Sequence, residues 1–338
     1  MSVLARLAAR SAAPFYPAFG LGGEAMVARL SRQSSVRAVR SIRHAAILLV
    51  AGSLRESDTD ALKRLHDQLP HPRTTLWWGC KPFDCATAPT SVAAHDNPAP
   101  ILDALDRNLL TGARRSEEAW LADAPPNPWR GKGEHGQGGK GMMGGTPYGR
   151  KMAMIGADLR DGLELDSMTV TLGPFFPLLP PGLALEMTLQ GDVIQEARVC
   201  SPAWPDSNAS TEPLLRAARM LELLELGALA LRCRRAAAEG GAERASLLQA
   251  ARRAGAFLAI PPRLGRVRDQ LAEALGGGEA VGPEDDTRLV DRLPGLEWQE
   301  AMLLINCFDP QTLRRIARPE PSEERQDGAD EKGEIEAT

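Results

Sequence analysis

Five cysteines, Cys80, Cys85, Cys200, Cys233 and Cys307, are the side chains of this sequence best suited to redox or metal chemistry. Their number is odd and no two form a CxxC. The sequence therefore offers no zinc ribbon, no redox dithiol and no disulfide framework. Dispersed thiols fit a reducing compartment. Cys80 and Cys85 stand five apart in Trp77-Trp-Gly-Cys-Lys-Pro-Phe-Asp-Cys85, just after an apolar run. Thiolates at the end of a strand can ligate an iron–sulfur cluster, but a cluster takes four of them. Taken alone, the pair reads as small, partly buried residues.

The second conspicuous feature is Gly131–Gly145, with eight glycines in fifteen residues. Gly follows both Lys132 and Lys140, so the segment lacks the GxxxxGK-Ser/Thr order that cradles a nucleotide phosphate. It does not follow a recognisable strand either, which excludes the dinucleotide-binding turn. Interleaved His, Gln, Lys, Met and Tyr set it apart from a plain Gly/Ser linker. The functional reading is close backbone approach to a ligand or partner, with His135, Lys140, Met142, Met143 and Arg150 as contacts; the alternative is a flexible connection. His44, His66, His71 and His95 show no ligand spacing and read as structural. No GxSxG or HExxH occurs, and no pair of residues announces general acid–base catalysis.

The elements that must carry these residues fall into two groups. Ala45–Gly52 and Thr74–Gly79 are short apolar runs, the pattern of buried parallel strands. The spacing predicts helices over residues 24–43, Asp58–Leu69 and Pro100–Leu110, the last opening on proline. Strand, helix, strand, helix makes a layered α/β unit over residues 1–123. An irregular Gly-rich connection covers 124–162. A second unit, 163–317, begins with strands Ser167–Leu172, Leu183–Gln190 and Val193–Val199, with Gly191-Asp192 as a hairpin turn. Helices follow over Pro213–Ala238, Ala242–Ala259, Arg266–Leu275 and Glu297–Asn306. The expected fold class is thus α/β plus α+β: a flavodoxin-like layered domain, a small antiparallel sheet and a helical bundle. Residues 318–338, with eight acids and three bases, read as a disordered acidic tail.

The chain of 338 residues is 43% apolar and 25% charged, ordinary for a protein with buried cores. No stretch of about 18 uncharged apolar residues predicts a membrane span. A net charge of -4 speaks against a nucleic-acid protein, but the charge is uneven. Residues 1–43 hold seven arginines and one acid, Glu24. Such a segment suits an acidic lipid surface or a partner subunit. Its composition is also that of a transit peptide, although it runs without a break into a folded pattern.

Read in order, several segments resemble the small subunit of nickel–iron hydrogenases and of respiratory complex I. These are Phe19-Gly-Leu-Gly-Gly-Glu-Ala-Met-Val-Ala28, Val36–Arg43 with His44–Gly52, Thr74–Cys80 and Asn97–Leu105. Later segments resemble the partner large subunit. Val170–Pro177 and Leu183–Val199 are similar to its opening sheet, and Met302–Arg315 to its closing segment. The resemblance covers about 15–110 and 163–317, as if the two subunits were fused.

The resemblance also marks what has changed. The first cluster CxxC falls on Gly20 and Gly23, and the last cluster cysteine near Asn97-Pro98. Cys80 or Cys85 alone remains of four. The nickel-site CxxC falls on Gln311 and Arg314, and the quinone-pocket histidine on Phe176. The resemblance therefore implies a non-catalytic or weakly redox-active peripheral subunit, without metal or other cofactor. Its partners would be membrane subunits of a complex I-like or hydrogenase-like assembly, with peripheral contact on the cytoplasmic inner face of the membrane. Two alternatives stay open. One is an oxidoreductase subunit with a partner-completed 4Fe-4S cluster or a quinone site. The other is a soluble ligand-binding or regulatory protein using the Gly-rich loop.

Overall fold

The computed structural model describes residues 11–83, 89–122, 132, 154–155, 166–205, 212–240, 244–276 and 286–319. Cys85 and the loop residues His135, Lys140, Met142, Met143 and Arg150 lie outside the described residues, as does nearly all of the acidic tail.

The first half is a parallel sheet wrapped on both faces. β1 (Ala13–Phe19), β2 (Val36–Ala38), β3 (Ile47–Ala51), β4 (Thr74–Trp78) and β5 (Thr90–Val92) pair in the order β2-β1-β3-β4-β5. Successive side chains point to opposite faces. Phe15, Phe19, Ile47, Leu49, Leu76 and Trp78 pack under α1 (Gly23–Leu30) and α3 (Ala99–Thr111). Tyr16, Leu48, Val50 and Trp77 face the other way, toward Leu62 of α2 (Thr59–Asp67) and Phe175.

β1 is a central strand that the sequence pattern does not announce, because it contains Pro14 and Pro17. Proline is normally confined to edges, since it cannot donate to a ladder. The backbone register explains the exception. The amide of Ala13 donates to Ser35 and the carbonyl of Phe15 accepts from Val39, so odd-numbered residues of β1 face β2; Gly20 donates to Ala51, so even-numbered ones face β3. β2 pairs only with residues 13–15 and β3 only with 15–19. Pro17 therefore faces the side where β2 has already ended, and Pro14 the side where β3 has not begun.

The second half opens with an antiparallel sheet of β6 (Met154–Ile155), β7 (Asp166–Leu172), β8 (Ala184–Gln190) and β9 (Val193–Ser201). The Gly191-Asp192 turn joins the last two, with Gly191 at φ 61 as such a hairpin requires. The helices are α4 (Glu212–Leu223), α5 (Gly227–Ala238), α6 (Arg244–Arg253), α7 (Ala256–Ala259), α8 (Gly265–Ala274), α9 (Leu289–Arg292), α10 (Trp298–Cys307) and α11 (Pro310–Ile316). They bury a single core with one face of the sheet, through Leu185, Met187 and Ile194. A reciprocal cap between Glu297 and Glu300 starts α10.

Three helices differ from the spacing-based expectation. The segment 24–43 is helical only to Leu30, because Val36–Ala38 pairs with β1. Residues 213–238 form two helices rather than one. Glu225, at φ 59, takes the left-handed conformation and the chain turns back. Residues 242–259 divide at Gly255, at φ 78.

The strap after α3 is held by two carboxylates. Glu117 accepts hydrogen bonds from Thr74 Oγ1 at 2.7 Å and from the amide and hydroxyl of Thr75 at 2.9 Å each. Asp67 accepts from the amides of Trp120 and Leu121 at 2.9 Å each. Between them, buried His66 stacks on Trp120, ring centroids 3.7 Å apart. Burial pushes both carboxyls up, but these donors, with His66, outweigh it and hold both below their ordinary values. A depressed carboxyl adds stability above its unfolded pKa and loses it as pH falls through the folded value. Urea midpoints of the native chain should therefore start to drop as pH falls below about 5 and go on dropping below the ordinary carboxylate range. Glu117→Gln should cost about 2 kcal/mol at pH 7 and flatten that drop.

Candidate functional site

The two halves meet at the carboxyl ends of β1 and β3, where strand order reverses. In open parallel sheets this is where ligands bind. Here the crevice is closed by backbone. Leu21 pairs with Ser53 in an antiparallel bridge, and Gly20 donates to Ala51 at 2.8 Å. A Cβ on Gly20 would sit 2.5 Å from the Ser53 carbonyl oxygen, and one on Gly23 would press still closer on that of Ala51.

From this turn a polar chain crosses into the helical half. Glu24, in the first turn of α1, forms an ion pair with Arg219 of α4. Arg219 Nε donates to Asn306 Oδ1 of α10 at 2.7 Å. Asn306 Nδ2 donates to the carbonyls of Leu178 at 2.7 Å and Met302 at 2.9 Å. Arg219 and Asn306 are buried, so each must be satisfied. On one side of the chain a cavity of about 60 Å³, with room for a few waters, lies among Gly20, Gly22, Glu24, Arg219, Pro180 and Pro310. The turn that carries Gly20 and Gly23 thus faces the start of α11, which carries Gln311 and Arg314.

Other clamps act nearby. Arg55 stacks on Trp204, its guanidinium 3.9 Å from the ring centroid. It donates to the carbonyl of Pro202 at 2.7 Å and to Ser201 Oγ. Beside it, burial pushes the Asp58 carboxyl up against the opposing Arg55 charge. On the second face of the sheet, the Tyr16 hydroxyl donates to the Phe175 carbonyl at 3.0 Å, and burial raises its pKa.

A larger cavity of about 440 Å³ opens on the far side of α1. Phe15, Pro17, Phe19, Val27, Leu30 and Leu178 are among the residues that line it. Glu222 lies at its rim, only 8% exposed, and pairs with both Arg40 and Arg234. A third opening, beyond β3 and β4, includes Ser53, Lys63, Cys80 and Lys81. There the Cys80 thiol lies 3.6 Å from the Val50 carbonyl oxygen, and burial pushes its pKa up to about 11.

The described residues do not fit an iron–sulfur cluster. A cluster needs several thiolates around one void. Among the described residues, Cys80 brings one thiol, its pKa raised by burial, and main chain stands where side chains at 20 and 23 would project. Among the described residues, no three His, Cys, Asp or Glu side chains gather closely enough to hold a metal ion. Phe176 packs edge-on against Trp298, centroids 6.4 Å apart. The chain matches no protein-family model, no curated protein and no solved structure at a significant level.

Sequence reasoning identified Gly20 and Gly23 but missed Glu24, Arg219, Asn306 and the Arg40–Glu222–Arg234 cluster. One local signal was present. Arg216, Arg219 and Glu222 recur every three residues along an otherwise apolar stretch, which puts charge on a helix face that should be buried.

Two outcomes follow. Gly23→Ala should destabilise the chain by about 3 kcal/mol, read by urea denaturation, because backbone rather than a side-chain tip must move. Iodoacetamide alkylation of Cys80, followed by peptide mass, should rise with a midpoint near pH 11, whereas an ordinary thiol would titrate near 8.5.

Proposed function

We propose that this chain is a non-catalytic peripheral subunit that docks on the membrane arm of a hydrogenase-related or complex I-like assembly, of the NADH–quinone oxidoreductase kind. The observation that carries this reading is the closed turn at Gly20–Gly23. Where the resembled small subunits hold cluster cysteines, this chain has main-chain packing with no room for a Cβ. Two further features support it. The strand order 2-1-3-4-5 is that of flavodoxin-like sheets, as expected for a small-subunit domain. The same turn also carries Glu24, whose ion pair with Arg219 ties the small-subunit-like half to the large-subunit-like half. In this reading the site has exchanged electron transfer for rigidity. Among the described residues no helix is long and apolar enough to cross a membrane, which accords with attachment through partners or at the surface.

A second reading draws on the cavity of about 440 Å³. Its mixture of apolar wall and polar rim is that of a small-molecule site. It is lined by Pro177 and Leu178, directly after Phe176, so a quinone held in a remodelled pocket is the ligand to consider.

Tagged chain recovered from its native membranes after gentle solubilisation separates these readings. The scaffold reading expects co-purifying membrane subunits and substoichiometric iron and nickel in this chain. About four iron atoms assigned to the chain would overturn it. A rise in Tm of a few degrees with a short-chain quinone would favour the second reading.

A further inference from the structure

We propose that the turn between α6 and α8 is a docking surface for an anionic lipid bilayer. Leu258, on α7, is 90% exposed, more than any other large apolar side chain among the described residues. It does not stand on a loose loop. Ala256 and Ile260, on either side of it, are fully buried, and Arg268 donates to the Ile260 carbonyl at 2.9 Å. Gly255, left-handed at φ 78, reverses the chain and projects this short helix outward. The tip is therefore a fixed apolar knob.

Along the chain its flanks carry one sign of charge. From Arg244 to Arg268 the sequence holds six arginines and no acid. Arg252 and Arg253 end α6 exposed, immediately before the turn, and Arg266 is exposed at the start of α8. Arg263 bonds buried Glu300 yet keeps 55% of its side chain exposed. The bounding acids along the chain are Glu243 and Asp269, and in space Glu300 and Glu297 act on Arg263. A protein partner would need a matching pocket and about 1,000 Å² of contact. A bilayer closes around any convex apolar tip while its anionic headgroups meet the guanidiniums. Shape and charge together favour the bilayer. The inference does not depend on the scaffold reading, because lipid binding needs no partner subunit.

Flotation of the full chain with protein-free vesicles tests it. Vesicles of phosphatidylglycerol and phosphatidylcholine should bind the chain, less so as salt rises, and pure phosphatidylcholine vesicles should bind it far more weakly. Arg252→Gln with Arg253→Gln should weaken binding about 25-fold, the weight of two cations at an anionic surface. Leu258→Asp should weaken it about tenfold or more. All three substitutions fall on exposed side chains, and unchanged circular dichroism spectra are the control that the fold is kept. No binding to anionic vesicles would overturn the proposal. So would binding that these variants leave unchanged, which would assign it to the basic residues 1–43 instead.

Discussion

The ion pair between Glu24 and Arg219 is the contact on which the joined architecture depends. It closes a separation of 195 residues and joins a buried guanidinium to a carboxylate that stays 16% exposed. A buried pair gains little over apolar packing, but losing one partner costs about 3–5 kcal/mol, because the other charge is stranded. The same arginine holds Asn306, and Asn306 holds the Leu178 carbonyl. Helix α1, helices α4 and α10 and the loop before β8 are therefore positioned by one chain of donors and acceptors. Geometry of this kind specifies how two halves sit together more sharply than it stabilises them.

Around that chain, the polar and apolar parts of the interface have separate tasks. Arg55 and Tyr16 reach loop carbonyls and so fix the backbone of the second half against the first. Glu222 balances two guanidiniums at the rim of the larger cavity. In the wall of that cavity Pro17 has no amide hydrogen to leave unsatisfied where β2 stops. The closed turn at Gly20–Gly23 and the open cavity on the other side of α1 are thus two outcomes of one strand end. Main chain closes one side, and where the ladder ends the cavity opens on the other.

Much of this was legible in the residues. The apolar runs of β3 and β4 announce buried parallel strands, and Gly191-Asp192 announces the β8–β9 hairpin. What was illegible has definite causes. β1 is disguised by prolines whose missing donors fall where no partner strand exists. The break between α4 and α5 falls on Glu225, a residue that gives no turn signal of its own. The polar network joins positions far apart in sequence, such as Arg40 and Glu222, and no local pattern pairs them. The place of the glycines at 20 and 23 could be named from the sequence, but their tight fit against Ala51 and Ser53 is a property of the folded backbone alone.

The span of the Glu24–Arg219 contact also has a consequence in time. A ribosome adds roughly 5–20 residues each second, so about 10–40 s pass between the emergence of the two partners. Asn306 arrives later still. During that interval the parallel sheet can complete itself from local segments, while the carboxylate of Glu24 waits in water. Nascent chains paused between the halves would expose the underside of α1, the surface to which chaperones should be drawn.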